Sequence, residues 1–264
     1  MDTWTAEQFG ISGRTALVTG GSQGIGLMIA RGLVLAGVRV FIAARAADVC
    51  EAAAAQLNTL GARSGGGKCV ALPGDVASSV GRTDLVARLG DHTASLDILV
   101  NNAGRSWLAP IESVPEVGWD KVLDLNAKTP FFLVQALLPL LELAAQVSPP
   151  SRVINIGSIE GFWHSGKPLY SYAASKAALH HLSSALAKDL GSRSITVNAI
   201  APGPFESEMA APALAHERDA FVRATPLRRI GEPADIAGAV QFLASRAGAF
   251  VTGVTLIVDG GLHL

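Results

Sequence analysis

Short, nearly unbroken apolar runs alternate with longer stretches of helical period along almost the whole chain. "TALVTG" (15–20), "VRVFIAAR" (38–45), "KCVALPGD" (68–75), "LDILVNNAG" (96–104), "RVINIGS" (152–158), "SITVNAIAPG" (194–203) and "VTLIVDGG" (254–261) predict seven strands. They are near-continuous rather than alternating, as expected of parallel strands covered on both faces. Helical patterns over 24–36, 47–60, 78–90, 117–145, 171–190 and 233–245 lie between them. This rhythm predicts one α/β domain over 1–264: a Rossmann fold, with a doubly wound, seven-stranded parallel sheet flanked by helices and right-handed crossovers. "ARSGGGK" (62–68) reads as a flexible turn into the third strand. The longest stretch outside the rhythm, about 203–231, is rich in Pro, Ala and charges; at the carboxyl edge of such a sheet it reads as a lid over the substrate.

Composition narrows the function classes. The 264 residues can bury a core without disulfides or metals. Charged residues make up 16%, below the usual figure of about 25%, which predicts that part of the surface is covered by further copies of the chain. A net charge of −1 gives no electrostatic reason to expect nucleic acid or an anionic membrane. Cys50 and Cys69 are too few for a disulfide framework and lack metal-ligand spacing, so both read as thiols in a reducing cytoplasm. "MDTWTAEQFG" at the start lacks the basic and apolar regions of a signal peptide. "FFLVQALLPLLELAAQV" (131–147) is interrupted by Gln135, Pro139, Glu142 and Gln146 and reads as a buried or interface helix, not a membrane span.

"TGGSQGIG" (19–26) follows the first strand and opens the first helix, the context a dinucleotide fingerprint requires. Gly20, Gly24 and Gly26 would let the backbone approach a pyrophosphate, which the helix N-terminus attracts. The second strand ends "FIAAR". An acid there would bind the ribose 2′-hydroxyl of NAD, whereas an arginine suits the 2′-phosphate of NADP. Arg45 therefore points to NADP(H).

"YSYAASK" (170–176) holds both tyrosines of the chain. On a helix, Tyr172 and Lys176 share a face at i and i+4, while Tyr170 points elsewhere, toward packing or a substrate wall. With the glycine loop, "NNAG" (101–104), the serine ending the fifth strand, "YAASK", "PG" (202–203) and "VDGG" (258–261) in order, the whole chain resembles the short-chain dehydrogenase/reductase family. The resemblance implies a catalytic set of Ser158, Tyr172 and Lys176, with Asn126 of "DLNAK" as fourth member. It implies cofactor contacts at Gly20, Ser22, Gln23, Gly24, Ile25 and Gly26 of the loop, and at Arg45. Asp75 and Val76 would flank the adenine, and Asn102, Ala103 and Gly104 the riboses. Tyr172 and Lys176 would reach the nicotinamide ribose, with Pro202, Gly203, Phe205 and Ser207 along the nicotinamide. Gln23 stands where many NADP-dependent members have a basic residue, and Ser207 where many have threonine.

The chemistry agrees with those residue types. A free tyrosine titrates near pH 10; an adjacent ammonium, helped by an oxidised nicotinamide, would favour the tyrosinate and lower that value. Tyr172 would then be general acid in reduction and general base in oxidation. Ser158 would hydrogen-bond the substrate oxygen as charge builds on it, and Asn126 would hold a water linking Lys176 to solvent. His180 and His181 lack a metal-ligand partner at i+4 and read as packing or interface residues; no metal site is expected.

Within the family the chain is similar to bacterial 3-oxoacyl reductases, including the type associated with rhamnolipid synthesis. An apolar pocket of Trp107, Phe162, Trp163, His164, Phe205 and Met209 would suit an acyl chain or another bulky hydrophobic ketone. Acyl carrier protein docking calls for basic residues before the fifth strand and near the end of the catalytic helix. "AAQVSPPSR" offers only Arg152 in the first region and Arg193 fits the second, so a CoA thioester or free ketone competes with a carrier-bound substrate. The expected function is an NADPH-dependent carbonyl reductase. The alternatives are an NAD-dependent alcohol dehydrogenase acting on a steroid or sugar alcohol, and a non-catalytic NADP-sensing regulator. The resemblance implies a homotetramer.

Overall fold

The computed structural model describes residues 3–147 and 150–264. The strands β1 (Thr15–Thr19), β2 (Arg39–Ala43), β3 (Cys69–Ala71), β4 (Ile98–Asn101), β5 (Ser151–Ile156), β6 (Ile195–Pro202) and β7 (Thr255–Val258) form one sheet. All its pairings are parallel, in the order β3-β2-β1-β4-β5-β6-β7. Strand order reverses at β1 and β4, and a doubly wound sheet opens a crevice outside the carboxyl ends of such a pair. The expected Rossmann architecture is present.

Helices α1 (Thr3–Phe9), α2 (Gly24–Leu35), α3 (Ala47–Ser64), α4 (Ser79–His92), α5 (Glu116–Leu123), α6 (Thr129–Val147), α7 (Tyr170–Leu190), α8 (Ala211–Ala224) and α9 (Pro233–Ala244) complete the chain order. Two cores explain the unbroken apolar strands. Ala16, Val18, Val40 and Ile42 pack with α2, α3 and α9 on one face. Leu17 and Phe41 pack with α4, α6 and α7 on the other. Successive strand residues point to opposite faces, so both sets must be apolar.

Several elements differ from expectation, each for a local reason. The helix expected over 117–145 divides into α5 and α6 around a π-helical turn at Asp124–Lys128. There the Thr129 N–H reaches back five residues to the Asp124 carbonyl, and the Thr129 hydroxyl donates to the same oxygen at 2.8 Å. Pro130 has no N–H to offer the carbonyl of Asn126, and that missing donor breaks the regular ladder. The third strand is shorter than 68–75: past Ala71 the Leu72 N–H still donates to Ile42 O of β2 and the Gly74 N–H to Ala44 O just beyond it, at 2.8 Å each, while Pro73 between them has no N–H to offer. The 62–68 stretch is pinned rather than loose. α3 runs on to Ser64, the Gly67 N–H donates to Val34 O at 2.7 Å, and a Cβ on Gly67 would lie 1.8 Å from Val38 O. The 203–231 connection contains α8, whose only buried residue is Leu214; with so thin an apolar stripe, its period was hidden. α1 buries nothing and was not expected.

The stretch 116–147 is the one helical span among the described residues long and apolar enough to cross a membrane. α6 buries Leu133, Leu137 and Leu141 against the sheet, while Phe131, Phe132 and Leu143 face outward.

Candidate active site

A cleft of roughly 1040 Å³ opens where the strand order reverses. Gly20, Ser22, Gln23, Gly24, Ile25, Arg45, Asp75, Val76, Asn102, Ala103, Gly104, Tyr172, Lys176 and Ser207 line it. Gly20 and Gly24 have φ of 64° and 51°, left-handed values that favour glycine. A Cβ on Gly20 would lie 2.8 Å from Asn102 Nδ2. Gln23 caps α2 without a side-chain bond to the helix's first N–H groups; its amide instead donates to Glu208 Oε1 at 2.6 Å. The start of α2 therefore keeps its donors for an anion in the cleft. Arg45 is exposed at the end of β2, and no carboxylate among the described residues pairs with it. An uncapped helix start, a glycine cradle and an unpaired guanidinium fit the pyrophosphate and 2′-phosphate of NADP.

Four expected cofactor positions are not among the residues that line the cleft. Gly26 is a packing glycine: a Cβ there would strike Gly20 O at 2.1 Å and Asn102 Nδ2 at 2.4 Å. Pro202 is the last residue of β6, Gly203 backs onto Asp259, and Phe205 is 2% exposed beneath Gly231.

The amine and phenol of α7 share one face. Lys176 Nζ stands 5.5 Å from the centre of the Tyr172 ring and donates to Ile156 O at 2.7 Å. Ser158, two residues past the end of β5, accepts from the Glu160 N–H on its Oγ at 3.2 Å, and its side chain acts on the Tyr172 phenol to oppose the rise in that group's pKa. Asn126 is buried on the π turn; it accepts from the Arg105 N–H at 2.9 Å and donates to Arg105 O and Ser175 Oγ at 2.9 Å each. A Cβ on Gly104 would lie 3.3 Å from Asn126 Oδ1 and 3.7 Å from Lys176 Nζ, so both polar groups close around that glycine.

Burial is the largest influence on the phenol's titration. Burial raises the Tyr172 pKa, the Ser158 hydrogen bond opposes this, and the Glu160 carboxylate adds to it. Burial also lowers Lys176 to about 8. Burial therefore disfavours the tyrosinate in the protein itself, and a phenol with an ordinary value near 10 already carries its proton at neutral pH.

The expected apolar pocket is not one wall. Met209 lines the cleft. Trp107 packs on Gly118, where a Cβ would lie 2.7 Å from the indole. Phe162 stacks on His180 with ring centres 4.4 Å apart. Trp163 is half-buried in the same loop, the His164 side chain is 63% exposed beside Glu160, and Phe205 belongs to the core. Aromatic content alone does not tell which way a loop side chain turns.

Arg152 is also corrected: it is 1% exposed and donates to Leu243 O and Ser245 O at 2.9 Å each, capping α9. It is no docking charge. Positions 148 and 149 of the same region lie outside the described residues, and Arg193 is ion-paired with Glu142. Sequence reasoning missed Arg105 and Lys121, basic residues in the cleft, and Ser175, which ties Asn126 to α7. The signal for Arg105 was its place directly after "NNAG"; for Ser175, its place on the face of α7 shared with Tyr172.

A family model described as Enoyl-(Acyl carrier protein) reductase matches residues 20–263. The Rhamnolipids biosynthesis 3-oxoacyl-[acyl-carrier-protein] reductase of Pseudomonas aeruginosa is 48% identical over 260 residues, 97% of this chain and 98% of that protein. The Gluconate 5-dehydrogenase of Gluconobacter oxydans is 35% identical over 259 residues, 96% of each. A solved structure, the Pseudomonas aeruginosa RhlG/NADP active-site complex, superposes with a TM-score of 0.92 at 47% identity, covering 98% of this chain and 99% of that one.

Proposed function

The chain belongs to the short-chain dehydrogenase/reductase family and is an NADP-dependent oxidoreductase; from that premise we propose that it reduces the keto group of a 3-oxoacyl thioester or another bulky hydrophobic ketone. The observation that carries this reading is Tyr172 and Lys176 in the same cleft as Arg45, with Ser158 beside the phenol. The glycine loop and the start of α2 would hold the pyrophosphate, Arg45 the 2′-phosphate, and Lys176 the nicotinamide ribose. Bound there, the cofactor supplies the hydride.

The protein's own task is the oxygen. Ser158 donates a hydrogen bond to the carbonyl and is worth most as charge builds on it. Tyr172, protonated at neutral pH, delivers its proton to that oxygen as general acid. Lys176 stabilises the tyrosinate left behind. Asn126 would hold the water that returns the proton.

The 3-oxoacyl reductase relative supports a thioester substrate. A CoA thioester or a free ketone is favoured over a carrier-bound chain, because Arg152 is internal and Arg193 is already paired. Outward-facing Trp119, Phe131, Phe132 and Leu143 support a homotetramer, and the two unpaired thiols support a reducing cytoplasm. A panel of β-ketoacyl thioesters, cyclic diketones and aryl ketones, followed by NADPH absorbance, tests the reading. Turnover of none of them, with NADPH still bound tightly, would overturn it in favour of a nucleotide-sensing regulator. Sedimentation as a stable monomer would overturn the assembly.

A further inference from the structure

We propose that His180 is the positioning residue for Ser158: a neutral imidazole that holds the serine's backbone N–H and thereby aims its hydroxyl at the reacting oxygen. This rests on the reading of Ser158 as the donor to the substrate carbonyl. β5 ends at Ile156. The Gly157 N–H still reaches Ile200 O across the sheet at 2.7 Å, but Ser158 lies past the ladder and is 8% exposed. A buried N–H needs an acceptor. His180 Nε2 supplies one, in a long hydrogen bond of 3.4 Å.

The loop closes around the ring. A Cβ on Gly157 would stand 2.1 Å from His180 Nε2, and one on Gly161 would stand 2.6 Å from Cε1. Phe162 covers a face of the imidazole, with planes inclined by 22°. His180 lies one helical turn beyond Lys176 on α7. The helix that carries the phenol and the amine therefore also sets the loop that carries the hydroxyl, so all three groups share one rigid reference. Accepting at Nε2 requires a neutral ring with its proton on Nδ1. That nitrogen is buried without a partner among the described residues: its N–H goes unanswered, a cost set against the bond at Nε2, and no acceptor is there to favour the imidazolium. Burial and the nearby Lys176 charge hold the pKa down at about 4.

A ring that only filled space would need no nitrogen, and a double-mutant cycle separates the two roles. His180→Leu, His180→Gln, Ser158→Ala and His180→Leu with Ser158→Ala would be made in the full chain. Turnover of a 3-oxoacyl-CoA thioester, NADPH affinity and Tm would be read for each. His180→Leu is expected to lower kcat about tenfold or more while NADPH affinity stays within about twofold. His180→Gln, whose amide oxygen can accept the same N–H, restores most of the rate. In the Ser158→Ala background the leucine costs less than about twofold, since both changes act through one hydroxyl. Should the leucine variant not fold, His180→Asn, too short to reach the N–H, replaces it with the same expectation. Full kcat in His180→Leu, no rescue by Gln at equal Tm, or losses that multiply in the double variant overturns the role of His180. An active Ser158→Ala enzyme, or a wild-type chain that turns over no ketone, overturns the underlying reading instead.

Discussion

The nucleotide end of the cleft is made mostly of backbone, and the carbonyl end of side chains. At the first, Gly20 and Gly24 come from one loop beside the uncapped start of α2, and Arg45 contributes the exposed, unpaired cation. At the second, Asn126, Ser158, Tyr172 and Lys176 meet from three segments, and three of the four are held by a further polar group. Asn126 is held by Arg105 and Ser175, Ser158 by His180, and Lys176 by the carbonyl of Ile156. A backbone site is set by local geometry and tolerates little beyond glycine. A side-chain site depends on supports that lie far apart in the chain.

The contrast can be tested from the carbonyl end first. Tyr172→Phe should cut turnover by about 10²–10⁴-fold, the range for loss of a general acid, while NADPH affinity, measured by fluorescence, barely moves. A variant that keeps full activity breaks the assignment. At the nucleotide end, Arg45→Ala should lower kcat/KM for NADPH by roughly 10- to 100-fold, as expected for losing a charge-assisted phosphate contact, and leave the value for NADH unchanged. Equal losses with both cofactors would remove Arg45 from the 2′-phosphate.

The supports predict smaller, pH-dependent effects. His180 has a folded pKa of about 4 against an ordinary value of 6.5. Between those values the unfolded chain takes up a proton that the folded one refuses. Stability from this group is therefore full above pH 6.5 and lost as pH falls toward 4, by up to about 3 kcal/mol. Urea titrations of His180→Gln should show a flatter acid limb than wild type; parallel limbs would count against a buried neutral ring. Glu160→Gln removes a negative charge that raises the Tyr172 pKa. Its reductase rate should begin to fall at lower pH than in wild type, because the phenol gives up its proton sooner. A limb displaced to higher pH would contradict that electrostatic coupling.

Legibility along the chain follows the same division. The glycine loop, the strand-end arginine and the Tyr172–Lys176 spacing are local patterns, and the structure sets all of them around one cleft. The six residues expected to wall the substrate carry no such pattern. Trp107 turns onto Gly118 and Phe205 into the core, since a loop side chain goes where neighbouring segments leave space. Arg152 reads as a surface charge because its partners, the carbonyls of Leu243 and Ser245, lie more than ninety residues away. The break at Asn126 was more accessible: Pro130, four residues on, cannot donate to its carbonyl.

The order of apolar runs determined a parallel sheet covered on both faces, and the spacing of a few residues determined the chemistry at its edge, because both depend on period and nearest neighbours along the chain. Only the tertiary structure decided which aromatics face the cleft, that burial raises the Tyr172 pKa, and that an imidazole stands beneath Ser158. Those outcomes depend on how completely water is displaced and on which distant segment displaces it, and no local pattern encodes either.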